Sequence, residues 1–244
     1  MKITIDATYI LNNKTGIGYY TEGLINSLIQ YDKTNDYTLF YNCLKPQKYR
    51  IPANLPQNFK NKFFKIPRRY LMKLWNLNIF PNTFILGNPD IFICTGLHIP
   101  CNLKSKKLSI VYDLSFLVDD FTYTLDQKKK LDALIKKILD VSNFIITTSI
   151  NTKNDLIKFY QYPQNKIEVV YGALINMPNI DNLKNSENIQ ITNILNNEKI
   201  TINNFNYFLF VGSLEKRKNL SIIIKAVKLL NDKSNTKFIF AGKP

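Results

Sequence analysis

The sequence predicts an α/β protein whose core is a parallel, doubly wound sheet. Residues 108–112 and 143–148 are centred on short runs of large apolar side chains. Strands without a polar face are buried on both sides, as in parallel sheets covered by helices. Residues 126–140 lie between these two segments and repeat apolar side chains at helical spacing. Because buried strands and amphipathic helices alternate, the pattern favours a doubly wound sheet.

The chain opens with a strand, a glycine turn and a helix in immediate succession. Residues 2–7 alternate polar and apolar side chains, which is the period of a β-strand. Turn-forming residues follow at 12–18 and include Gly16 and Gly18. Residues 20–29 then repeat apolar positions every three to four residues, as an amphipathic helix does.

The start of this helix is a candidate anion site. Gly16, Ile17 and Gly18 place backbone N–H groups at the positive end of the helix dipole, which suits a phosphate. Thr21 interrupts the Gly-x-Gly-x-x-Gly fingerprint, so a nicotinamide cofactor is not expected. The alternative is a tight strand-to-helix turn without a ligand.

The remaining elements follow in order, with a loop expected at residues 45–57. Helices are predicted at 126–140, from 151 or 152 to 160, and at 220–230. Strands are predicted at 37–41, 90–95, 108–112, 143–148, 166–171, 208–212 and 237–242.

The residues with interesting chemistry follow the predicted strands. In an open parallel sheet, ligands bind beyond the carboxyl ends of the strands. We therefore expect these residues to converge on one crevice. They are Gly16, Gly18, residues 95–98, Tyr112, Asp113, Ser149 and Gly172.

Residues 59–80 mix cations with large apolar side chains. Residues after Pro67 fit one helical face, and this basic amphipathic pattern suits an anionic membrane surface. The alternative is an ordinary surface helix with a solvated cationic face and Trp75 packed inward. The membrane-surface candidates are Lys62, Lys65, Arg68, Arg69 and Lys73.

Composition argues against several classes of protein and of binding site. The formal net charge is +15, but only four of the 33 basic residues are arginine, so nucleic-acid binding is disfavoured. The sequence has no apolar run of about 18 residues and no signal-peptide core, so a cytoplasmic protein is expected. Three cysteines and one histidine argue against a disulfide framework and against a zinc site.

The second half predicts a linker and then part of another domain. Residues 173–206 are rich in asparagine and weakly patterned, with at most marginal helix. Residues 1–172 then form the first domain, and 207–244 begin a second, incomplete one. Three adjacent cations at 216–218, Arg217 and Lys218 among them, precede a helix and oppose its dipole, so an anion is expected there.

The order of motifs across the whole chain resembles the retaining glycosyltransferases of family 4, also called group 1, which have the two-domain GT-B fold. The matching pieces are residues 5–7, 15–20, 112–116, 148–149, 155–156, 166–172 and 211–219.

The resemblance implies sugar transfer from a nucleotide-diphosphate donor to a glycan or lipid-linked acceptor, with retention of configuration and without a bound metal or other cofactor. The amides at 16–18 and the cations Arg217 and Lys218 then stabilise the departing diphosphate. Tyr112 and Asp113 occupy the catalytic positions, although the family often has histidine where Tyr112 stands. His98 and Ser149 line the acceptor cleft.

The paired glutamates of the family do not occur within the sequence, so the chain is expected to be a truncated transferase with very weak or no activity. The alternative is an inactive remnant or a subunit that pairs with a complementing chain.

Overall fold

We analysed a computed structural model of the chain. It describes residues 1–11, 15–44, 51–52, 54–76, 82–119, 122–173, 189–192, 199–202, 206–212, 218–229 and 236–242. The chain divides into two compact units. The first comprises residues 1–118 and 125–175, and the second comprises residues 119–124 and 176–244.

The first unit is built on a seven-stranded parallel sheet, which confirms the predicted fold class. Its strands are β1 (Lys2–Asp6), β2 (Asp36–Asn42), β3 (Phe59–Phe64), β4 (Ile91–Cys94), β5 (Lys106–Val111), β6 (Phe144–Thr147) and β7 (Ile167–Val169). Their order across the sheet is β3-β2-β1-β4-β5-β6-β7. The order reverses between β1 and β4, and a crevice is expected at the carboxyl ends of strands at such a switch point.

The described residues of this unit form five α-helices, and the helices predicted on either side of β6 are present. They are α1 (Gly16–Tyr31), α2 (Arg68–Asn76), α3 (Asn82–Leu86), α4 (Leu125–Val141) and α5 (Ile150–Tyr160).

The sequence predicts no strand at β3, because the cations there indicate a basic amphipathic segment. Among the described strands it pairs with β2 alone, and the ring of Phe59 stacks on Tyr37 with centroids 4.4 Å apart. An edge strand needs only one hydrogen-bonded neighbour and tolerates cations such as Lys60 and Lys62 on its surface. The cations of residues 59–64 therefore do not exclude a strand there.

The sheet packs differently on its two faces. On one face, Ile3 and Ile5 join a buried cluster that includes Ile25 of α1. On the opposite face, the indole of Trp75 in α2 lies near Phe40 and Phe92, at centroid distances of 6.4 and 6.5 Å.

The face carrying α1 is less well covered beyond β4. The strand register aligns Leu108 with Phe144 and Ile110 with Ile146, so these side chains share the face of Ile3 and Ile5. Phe144 is 52% exposed, and Leu108 and Ile146 are half-buried. The apolar surface of β5 and β6 is therefore partly open to water.

The second unit contains two small sheets. Strands β8 (Ile189–Thr192) and β9 (Lys199–Ile202) are antiparallel, and β10 (Asn206–Val211) and β11 (Thr236–Ala241) are parallel. Helix α6 (Leu220–Lys228) follows β10 along the chain. The sequence indicates a weakly patterned linker at 173–206, and the structure adds two short strands there, β8 and β9, in which isoleucines alternate with polar residues.

Candidate functional site

The carboxyl ends of β1 and β4 meet at the switch point of the sheet. The Thr95 hydroxyl donates a hydrogen bond to the backbone oxygen of Asp6 over 2.5 Å. The ring of Tyr9 lies directly over Gly96, since a Cβ atom there would sit 2.2 Å from the ring. A larger residue at this position would displace the Tyr9 ring from its place over the backbone.

Tyr112 connects the ends of β4, β5 and β6. Its hydroxyl donates to the backbone oxygen of Thr95 over 3.0 Å, and its own backbone oxygen accepts hydrogen bonds from the hydroxyls of Thr148 and Thr152, each at 3.0 Å. Burial raises the pKa of the Tyr112 hydroxyl above its ordinary value. The side chain is thus a neutral donor already bonded to the main chain.

Asp113 lies beside this network with its carboxylate exposed to solvent. Its Oδ1 accepts hydrogen bonds from the backbone N–H of Ser115 over 3.1 Å and from the Ser115 hydroxyl over 2.7 Å. This local turn fixes the direction of the side chain. Asp113 can therefore offer its remaining oxygen to a ligand hydroxyl.

The predicted anion site lies at the start of α1. Thr15 caps the helix without a side-chain hydrogen bond, and a Cβ atom on Gly16 would meet nothing within 4 Å. A ligand can therefore approach the backbone of Gly16 without displacing a described side chain. Ile17 accepts a hydrogen bond from Thr21 through its backbone oxygen, and Gly18 is buried.

Tyr20 fixes the first turn of α1 to the far side of the sheet. Its hydroxyl donates to the backbone oxygen of Val170 over 2.9 Å, and its ring meets Tyr112 edge to face at 5.6 Å. Gly172 lies close by, since a Cβ atom there would be 3.7 Å from the Tyr20 ring. The structure thus brings the start of α1 together with residues that follow β5 and β7.

Ser149 caps helix α5. Its Oγ accepts a hydrogen bond from the backbone N–H of Thr152 over 3.1 Å and lies 2.9 Å from the Thr152 hydroxyl. Serine is a preferred residue at this position because it satisfies an otherwise unpaired helix amide. The structure therefore gives Ser149 a structural role beside Tyr112.

His98 follows β4 and is half-buried. The thiol of Cys94 donates to the backbone oxygens of His98 and Gly96, at 3.2 Å each, and these contacts hold the loop. The His98 side chain lines a cavity of about 430 Å³ together with Trp75 of α2 and part of α4.

The predicted cations at 216–218 are described only in part. Lys218 is exposed and precedes α6 in the second unit. Arg217 lies outside the described residues.

The membrane-surface candidates fall on two elements and the loop between them. Lys62 is half-buried in β3, where burial and then Lys60 lower the pKa of its ammonium group. Lys65 is exposed in the loop, and Arg69 and Lys73 are exposed on α2. Arg68 begins α2, and only its backbone is described.

The aromatic residues of α2 divide between the core and the surface. Trp75 is 3% exposed, which confirms the alternative that its ring packs inward. Tyr70 is 47% exposed and stays beside the cations, with the Arg69 guanidinium 4.8 Å from its ring centroid. Within the described part of the chain, no helix has both the length and the apolar character needed to span a bilayer.

Sequence reasoning missed two tyrosines of the site. The sequence gives Tyr9 no role, and it places Tyr20 in an apolar stripe and in the motif at 15–20 without indicating its partners. Their partners are 87 and 150 positions away, at Gly96 and Val170. Local periodicity carries no signal for such contacts.

Comparison with known proteins adds one result to this geometry. Residues 193–244 match the family model described as Glycosyl transferases group 1. The match supports glycosyl transfer as the general activity, with a nucleotide sugar as donor and a glycan as acceptor. A comparison with curated proteins found no match to the chain.

Proposed function

We propose that this protein transfers a sugar from a nucleotide-diphosphate donor to a glycan or lipid-linked acceptor, with retention of configuration and without a metal cofactor. The match of residues 193–244 to the group 1 glycosyltransferases carries the proposal. The expected setting is polysaccharide or glycolipid synthesis in the cytoplasm. We assign the first unit to the acceptor and the second to the donor.

The leaving diphosphate needs stabilisation as its charge develops. In this proposal, the amides at the start of α1, from Gly16 to Gly18, supply one set of donors. The open approach to Gly16 supports that role. Arg217 and Lys218 are assigned to the diphosphate from their place in the sequence, and Lys218 is exposed to solvent.

In this proposal, the side chains that follow β4, β5 and β6 have different roles in binding the substrates. Asp113 receives a hydroxyl of the substrate, because its carboxylate is exposed and held by Ser115. Tyr112 contributes a neutral phenol and maintains the shape of the strand ends. His98 and Ser149 border the acceptor side.

The acceptor side faces an anionic membrane in this proposal. Lys62, Lys65, Arg69 and Lys73 are close in sequence to the exposed Tyr70, whose ring centroid lies 4.8 Å from the Arg69 guanidinium, and cations beside aromatic rings suit the headgroup region. Arg68 is assigned to the same surface from its place in the sequence.

The proposal is tested by measuring the binding of a panel of nucleotide sugars and nucleoside diphosphates to the full chain by calorimetry, with released nucleoside diphosphate measured on the same samples. We expect the chain to bind one class of donor and the Lys218→Gln variant to bind it more weakly. Lys225→Gln, on the exposed side of α6, is the matched control. Failure of every nucleoside diphosphate to bind the full chain would overturn the proposal.

A second function is that of a subunit completed by another chain. The small sheet of β10 and β11 supports this candidate, since Phe208, Leu209 and Val211 are 56, 55 and 72% exposed. A two-stranded sheet alone does not bury such side chains. A monomer that transfers sugar unaided, as judged by sedimentation and activity on the same sample, would exclude it.

A further inference from the structure

The cavity beside His98 is a built pocket in the first unit. Its walls are Met72 and Trp75 of α2, residues 97–99 after β4, and one face of α4. Its volume of about 430 Å³ lies within the range of about 300–1,000 Å³ in which proteins bind small ligands. The pocket is therefore large enough for a ligand larger than water.

The face of α4 in this pocket has cations at both ends of a short apolar stretch. Lys130 and Lys137 line the cavity, with Ala133 and Leu134 between them. Seven residues span almost two helical turns, or about 10 Å along the axis, so both lysines lie on one side of α4. None of the described residues that line the cavity is acidic. This arrangement favours an anion attached to an apolar group.

A smaller recess adjoins the pocket at Trp75 and His98. It is lined in addition by Asp6 and Asn42, both buried at the ends of β1 and β2. The carboxylate of Asp6 repels an anion from this side. A ligand anion is therefore directed towards Lys130 and Lys137.

Two buried polar atoms of this region have no partner among the described residues. They are Nε1 of Trp75 and Oδ1 of Asn42, and both side chains are more than nine-tenths buried. Buried polar atoms without a partner are unfavourable, so these two atoms mark the recess as a place for water. Trp75 lines both the pocket and the recess.

We propose that this pocket binds a lipid phosphate, with the apolar chain against Trp75 and Leu134 and the phosphate at Lys130 and Lys137. The inference rests on the proposed function, in which it selects the lipid-linked acceptor over the free glycan. The pocket then holds the acceptor's lipid anchor beside the strand ends that carry Tyr112.

The single tryptophan of the chain supplies a direct measurement. Trp75 fluorescence is followed while decyl phosphate is added below its micelle concentration, so that no membrane surface is present. We expect a saturable spectral change. Inorganic phosphate, which lacks the chain, is expected to give none, and decyl glucoside, which lacks the charge, is expected to bind more weakly.

Variants separate the parts of the site. Lys130→Gln and Lys137→Gln should each weaken decyl phosphate binding about fivefold, the effect of about 1 kcal/mol per cation, and leave decyl glucoside unchanged. Ala133→Phe should fill the cavity and abolish both signals. Lys129→Gln, an exposed neighbour on α4 that does not line the pocket, is the matched control.

Equal affinity for decyl phosphate and decyl glucoside, or full binding by Ala133→Phe with an unchanged circular dichroism spectrum, would overturn the inference. Neither result depends on the nucleotide-sugar site, since binding of nucleoside diphosphate is measured without any lipid. The inference can therefore fail while the proposed sugar transfer stands.

Discussion

The hydroxyl of Tyr112 donates a hydrogen bond to the backbone oxygen of Thr95 over 3.0 Å. This bond joins the end of β5 to the end of β4 at the switch point of the sheet. In Tyr112→Phe, the Thr95 oxygen loses its donor inside a largely buried site. We expect the free energy of unfolding to fall by about 1–2 kcal/mol, as measured by urea denaturation.

The control for this change is Tyr31→Phe, because Tyr31 is 77% exposed on α1. We expect it to leave stability unchanged. If Tyr112→Phe instead kept full stability and lost sugar transfer, the hydroxyl would act on the substrate and not on the fold.

Alkaline pH should destabilise the protein through its buried tyrosines. Burial raises the pKa of Tyr112, Tyr41 and Tyr160 above the ordinary value of 10.0. Because the folded state favours the neutral phenols, their contribution is complete below pH 10 and is lost as the pH rises further. We expect the urea midpoint to fall above pH 10, and tyrosinate absorbance to rise together with unfolding. Early titration of all 14 tyrosines in the folded state would contradict this.

Acid should act through Asp32, which follows α1. Hydrogen bonds from the Asn35 side chain and then from the Tyr37 hydroxyl, both at 2.7 Å, lower the pKa of its carboxyl. This contribution to stability is present above pH 3.8 and is lost as the pH falls below that value. In Asp32→Asn, the melting temperature should be lower at neutral pH and should depend less on pH in acid. Asp140→Asn, at an exposed site on α4, should show the dependence of the unmodified chain.

Gly16→Ala tests the anion site separately from the fold. The added methyl group meets nothing within 4 Å, so stability should be kept or increase by about 0.4–1 kcal/mol. It would nevertheless lie where a phosphate approaches the backbone, and we expect about tenfold weaker binding of nucleoside diphosphate, or about 1.4 kcal/mol, by calorimetry. Ser27→Ala, exposed on the same helix, is the control. Unchanged affinity in Gly16→Ala would remove this turn from the donor site.

The cations of β3 and α2 should determine membrane binding. Each cation near an anionic surface contributes about 1 kcal/mol, so Arg69→Gln and Lys73→Gln should each reduce binding to phosphatidylserine vesicles about fivefold. Lys136→Gln, on α4, is the matched control. Sedimentation with the vesicles measures the effect, and equal binding to uncharged vesicles would refute the electrostatic role.

Strong periodicity made most of the first unit predictable. Strands β1, β4, β5 and β6 and helices α1 and α4 have the periods of buried strands and amphipathic helices, and all are present. Strand β3 was missed because an edge strand tolerates cations and lacks a continuous apolar pattern. Strands β8 and β9 were missed because their short alternations lie among asparagines.

The candidate site was predictable in outline only. Because parallel strands end at one edge, Tyr112, Ser149 and Gly172 were expected to lie near each other, and the hydrogen bonds and the Tyr20 ring connect their surroundings. The sequence did not reveal that the Tyr112 hydroxyl is bonded to Thr95, since that contact depends on side-chain rotamers. The close approach of Tyr9 to Gly96 likewise depends on two loops folded together.

The partly exposed apolar face of β5 and β6 affects the order in which parts of the protein unfold locally. Strands that bury less apolar surface open at lower free energy, so the amide protons of β6 and β7 should exchange with solvent before those of β1 and β2. Val170, which follows β7, accepts the hydrogen bond of Tyr20. A local opening of β7 therefore also releases the first turn of α1. The rigidity of residues 16–18 thus depends on a strand at the edge of the sheet.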